Sequence, residues 1–117
     1  MSNRLKIPHQ PPLLFADIML AKEGNVADVH IAFSTIPSLP MLVEGAAQSC
    51  GAFRERDDEE AFIASLKNIK LHHPPKQKEF TARITDMHRF ESMRFVGFEI
   101  FEQDTLIASG EFVMAVY

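Results

Sequence analysis

The alternation of apolar and polar positions is clearest in "VADVHIAFS". There Val29, Ile31 and Phe33 share one side, and Asp28, His30 and Ala32 share the other. A period of two predicts a strand with one buried face. The preceding run, "LLFADIMLAKEGN", is apolar and ends at a Gly-Asn turn signal, so it reads as a strand followed by a turn. Downstream, "FIASLKNIKLHH" is strand-like and "PPKQ" is a loop. "KEFTARITDMHRF" sets Phe80, Ala82 and Ile84 on one face, whereas "SMRFVGFEIFE" is apolar on both faces at several positions. "QDT" is a tight turn and "LIASGEFVMAVY" a closing strand, so the last three strands are predicted to form an antiparallel meander.

One segment departs from this period. "PMLVEGAAQSCGAF", Pro40 to Phe53, is apolar nearly all round and predicts a helix buried on several sides. Its small residues (Gly45, Ala46, Ala47, Ser49, Gly51, Ala52) permit close approach of other backbones. The loop before it, "STIPSLP", offers Ser34, Thr35 and Ser38 as candidate caps. The helix runs into "RERDDEEAF", whose mixed charges read as a solvated helix end and loop. "MSNRLKIPHQPP" reads as an extended, proline-punctuated lead-in. A single helix this apolar must be wrapped by the strands around it. The expectation is one α+β domain over residues 1–117, a curved antiparallel sheet round one central buried helix.

Composition narrows the function. Apolar residues make up 46% and charged residues 24%, as in ordinary globular domains, and the net charge of −4 supplies no basic face for nucleic acid. The lone Cys50 excludes a disulfide within the chain and suits a reducing compartment. The lead-in has no apolar leader segment, and the longest apolar run is too short to span a bilayer and contains Glu44. A cytoplasmic protein that does not act in a membrane is expected.

The chemistry centres on Glu44 and Gln48. A spacing of four puts both on one helix face, near the helix start. A carboxylate in apolar surroundings must be satisfied by partners or put to use as an acid or base. His30, one loop before the helix, is a second candidate for proton transfer, although its strand face is opposite that of Val29 and Ile31. Ser34, Thr35 and Met41 flank the helix start and, with Gln48, are candidate substrate contacts. The hydroxyls serve better as caps than as nucleophiles, because no base is positioned beside them. Cys50 reads as a small buried apolar residue. His72 and His73 are adjacent and point to opposite sides of a strand, and no Cys/His/Asp grouping has zinc spacing, so neither a metal nor a cofactor is expected.

Three stretches resemble the hot-dog fold, and within it the β-hydroxyacyl-(acyl carrier protein) dehydratases and their aryl-polyene relatives. "IPHQPPLLFADIML" resembles the family's opening, "LPMLVEGAAQSCGAF" the start of its central helix, and "LIASGEFVMAV" its last strand. The resemblance implies a homodimer or higher homo-oligomer whose sheets join edge to edge, with a related hot-dog subunit as a further potential partner. It implies an acyl thioester, on acyl carrier protein or coenzyme A, in a tunnel at the subunit interface. It also places Glu44 at the family's helix Glu and Gln48 at the following Gln, and makes His9 a structural residue of the opening. The family's histidine loop has no counterpart, since "AFSTIPSLP" carries neither histidine nor glycine. Three functions follow as expectations: a 3-hydroxyacyl dehydratase with a degenerate histidine position, a thioesterase, or a non-catalytic acyl-binding subunit.

Overall fold

The computed structural model describes residues 16–53 and 61–116. The lead-in with His9, and the charge run after Phe53, lie outside the described residues. In chain order the elements are β1 (Ala16–Glu23), β2 (Val26–Ala32), α1 (Leu39–Ser49), a 3₁₀ turn (Cys50–Phe53), β3 (Ala61–Leu71), β4 (Glu79–Phe90), β5 (Met93–Glu102) and β6 (Thr105–Val116). The six strands form one sheet in the order β1-β2-β4-β5-β6-β3, and every neighbouring pair is antiparallel.

The predicted meander is present as β4-β5-β6. Gly24, at φ +60°, turns β1 into β2; Glu91 and Gln103, both at φ 55°, turn the next two hairpins. β3 has no such local partner. It crosses to the far edge and pairs with β6, Leu66 opposite Phe112 and Leu71 opposite Ala108.

The inner face of the sheet is the phase anticipated for β2 and β4. Val29 and Ile31, with Phe80, Ala82 and Ile84, are buried beside Val96, Phe98 and Ile100 of β5 and Phe112 of β6. The sheet curls round α1, which lies over β1, β2 and β4 and reaches β5 and β6 less. Eleven residues are too few for a stable isolated helix, so packing must hold it. Leu42 and Ala46 are fully buried and Val43 nearly so. Burying a side chain such as Leu42 contributes about 1.5–3 kcal/mol.

One expectation changes. The helix is not continuous to Phe53: Cys50 caps it, its N–H reaching the carbonyls of Ala47 and Gln48, and a 3₁₀ turn follows. Two cations satisfy carbonyls of that turn. Lys22 Nζ donates to the Ala52 carbonyl at 3.1 Å and lies over the Phe53 ring, and Arg94 Nη1 donates to the Phe53 carbonyl at 3.3 Å. β5 is apolar on both faces at several positions, as expected, with one charged exception. Its inner phase is Arg94, Val96, Phe98 and Ile100, all buried, so it carries a charge inward. The outward Phe95 and Phe101 are half-buried under the His88 ring and the Arg83 guanidinium.

Candidate active site

The start of α1 is fixed by Ser38. Its extended backbone (φ −79°, ψ 168°) stops the helix, its Oγ accepts from the Met41 N–H at 3.4 Å, and its carbonyl accepts from the Leu42 N–H at 3.0 Å. Of the three hydroxyls considered, the cap is therefore Ser38, and Ser34 and Thr35 stand exposed on the preceding loop. Met41 is half-buried against the core at the same end. The helix begins at Leu39, and its first turn contains no acid. Glu44 thus lies beyond the first turn, one residue deeper than a start at Pro40 implies, and the helix dipole, which acts within the first turn, gives it little.

What holds Glu44 is Gln48. The Gln48 Nε2 amide donates to Glu44 Oε1 at 3.3 Å, as the i,i+4 spacing allows. Gln48 Oε1 in turn accepts from the Ala16 N–H at the start of β1, at 3.1 Å. Gln48 is buried and Glu44 half-buried, so a carboxylate is presented at the edge of the core with its amide partner behind it. A half-buried carboxylate with one oxygen held is a serviceable proton acceptor or donor for a substrate lying against the helix.

The histidines lie elsewhere. His30 is on the outer face of β2, and its Nε2 is 3.0 Å from Glu79 Oε1. The sheet separates it from the helix of the same chain. His72 Nε2 pairs with Ser109 Oγ at 2.8 Å, His73 Nδ1 with the Leu106 carbonyl at 3.1 Å, and His88 packs against Phe95. Among the described residues, then, Glu44 and Gln48 are brought together and His30 is not brought to them. Cys50 is buried in the core, and burial pushes its thiol up to about 12, which removes it as a nucleophile at ordinary pH.

A hollow of about 540 Å³ lies on the outer face, where Gly97 leaves a gap among Arg83, Glu99, Ser109 and Glu111. It is a dip in a charged sheet surface and is not lined by Glu44. The uncovered surface that continues the helix side lies instead on β3. Ile63, Leu66 and Leu71 pair with the buried Met114, Phe112 and Ala108, so they face inward. Yet they are exposed to 36%, 48% and 47%, because α1 does not extend over that strand.

The chain superposes on several solved structures over nearly its full length. Against the dehydratase heterocomplex ApeI:P of Xenorhabdus doucetiae the TM-score is 0.77, at 13% identity, with 94% of this chain and 87% of that one covered.

The chain has the hot-dog fold.

Two other hot-dog structures extend the comparison. A Helicobacter felis protein gives a TM-score of 0.73 at 16% identity, with 98% of both chains covered. A thioesterase from Haemophilus influenzae gives 0.62 at 12%, with 86% of this chain and 77% of that one covered. No family model and no curated protein matches the sequence. Among the described residues, no helix of this hot-dog domain is long and apolar enough to cross a membrane.

Proposed function

We propose that this protein acts on acyl thioesters as a dehydratase-type hot-dog subunit. The observation that carries this reading is the Glu44–Gln48 pair on the central helix, a half-buried carboxylate backed by a buried amide. Dehydration of a 3-hydroxyacyl thioester needs a base for the C2 proton and an acid for the departing C3 hydroxyl; the products are the 2-enoyl thioester and water. Glu44 supplies one of these groups. The other comes from a second subunit seated on the exposed inner row of β3, where the acyl chain would lie between Leu66 and the neighbouring helix. The second subunit is another copy of this chain, or a related hot-dog chain. The similarity to a dehydratase heterocomplex supports such pairing. The acyl group would be carried on acyl carrier protein or coenzyme A. The lone, buried Cys50 accords with a cytoplasmic setting.

Thioester hydrolysis is the second reading. It is favoured by the placement of His30 across the sheet from Glu44, since one carboxylate activating a water suffices for hydrolysis. The two are separated by incubating the protein with 3-hydroxyacyl and saturated acyl thioesters of several lengths while following enoyl absorbance and free thiol. Enoyl product that disappears in Glu44→Gln and persists in His30→Ala is the expected outcome. Thiol release without enoyl product establishes hydrolysis. Native rates in a folded Glu44→Gln protein would sink both readings, since each lost general catalyst costs roughly 10²–10⁴ in rate.

A further inference from the structure

We infer that Gln48 is a positioning residue, which orients the Glu44 carboxylate and makes that orientation depend on the docking of β1; the inference rests on the reading of Glu44 as the proton-handling group. A backbone N–H can only donate, so the Gln48 atom facing the Ala16 N–H must be its oxygen. That choice fixes the other end of the amide. The nitrogen faces Glu44 and can only donate, so Glu44 Oε1 is held as an acceptor. Gln48 is 5% exposed and its bond to the Ala16 N–H is buried, whereas its bond to Glu44 is part-buried, at the edge of the core.

The second bond has its own consequence. β1 is an edge strand, and its pairing with β2 is irregular between Ala16 and Ile18 and again between Met19 and Ala21. The ladder is interrupted just after Ala16, and the Gln48 oxygen supplies a further tie from the helix at that residue. The same side chain that aims the carboxylate also pins the strand, so loss of the amide disturbs both.

The test uses the full chain and three substitutions assayed with the thioesters above. Gln48→Glu keeps an oxygen for the Ala16 N–H, removes the donor to Glu44 and sets a like charge beside it. Gln48→Met removes both bonds at similar volume. Glu44→Gln is the reference. Both Gln48 variants are expected to lose roughly ten- to a hundredfold in kcat with smaller changes in KM, the worth of one hydrogen bond to a charged group. In the Glu44→Gln background, Gln48→Met should add no further loss. Amide exchange at Ala16 should quicken in Gln48→Met and stay slow in Gln48→Glu, a readout that holds even where activity is low. If Glu44→Gln is inactive while both Gln48 variants keep native kcat, the positioning role is overturned and the catalytic reading survives. Unchanged Ala16 exchange in Gln48→Met overturns the tie to β1. If Glu44→Gln is itself fully active, the failure is that of the catalytic reading.

Discussion

Replacing Gly110 by alanine tests how β6 is packed between β5 and β3. An added methyl would lie 2.8 Å from Phe98 Cε1 and 3.0 Å from its Cζ, and would overlap Ile69 Cδ1. Phe98 cannot yield easily, being buried and stacked on Phe112 with centroids 4.8 Å apart. Ile69 is only partly buried and sits on the edge strand, so it is the side chain that must move. Overpacking by one methyl costs roughly 1–3 kcal/mol. Alanine also restricts the unfolded chain relative to glycine, which returns about 0.4–1 kcal/mol. The expected net loss is roughly 0.5–2 kcal/mol, or about 2–8 °C in Tm for a domain of this size. Ile69→Val removes the overlapping Cδ1 atom. The double variant Gly110→Ala/Ile69→Val should therefore recover part of the loss, with a coupling of about 1 kcal/mol. Urea midpoints of the four proteins at one protomer concentration measure this cycle, concentration being held because association would shift apparent stability. Strict additivity, or an alanine variant as stable as the parent, would refute the packing described here.

Two further outcomes follow from burial and exposure. Because the folded chain raises the Cys50 thiol from 9.0 to about 12, mainly by desolvation and against the opposing charge of Arg94, the unfolded chain ionises first. The stabilisation is present below pH 9.0 and is lost as pH rises towards 12. Urea midpoints of the parent should fall relative to Cys50→Ala across that window, by a few kcal/mol at most at about 1.4 kcal/mol per unit; a constant difference would show the thiol to be less buried than described. The exposed inner row of β3 is expected to be covered in a dimer, so the parent should sediment as a dimer at micromolar concentration and Leu66→Asp as a monomer. A stable parent monomer would count against that pairing.

Much of this architecture was legible in the sequence because single-phase alternation is a local signal. Val29 and Ile31, and Phe80, Ala82 and Ile84, were assigned to their buried faces from spacing alone, and all are buried. Glu44 and Gln48 were placed on one face by the helical repeat, and they are hydrogen-bonded. What escaped was non-local or ambiguous. Both phases of "RFVGFEIF" are largely apolar, so nothing in the pattern put Arg94 inside. β3 breaks its own alternation at the irregular stretch around Asn68, which has φ 55°, and its inward row at 63, 66 and 71 follows no fixed period. The partner of Gln48 lies 32 residues away at Ala16, beyond any local rule. His30, by contrast, was assigned to the face opposite Val29 and Ile31, and that assignment already weighed against its reaching the helix.

The pairing of β3 with β6 has a consequence for how the protein is made. β3 leaves the ribosome before the whole β4-β5-β6 meander, yet among the described residues its sheet neighbour is the last of those strands. Local hairpins close quickly, whereas a strand waiting for a distant partner bears the entropy of a long loop. Throughout that interval Phe62, Ile63, Leu66 and Leu71, which stay exposed even in the folded chain, belong to an unpaired strand with both edges open. Synthesis thus passes through a stage in which a strand with four exposed apolar side chains has nothing to hold, and chaperone demand during expression should peak there.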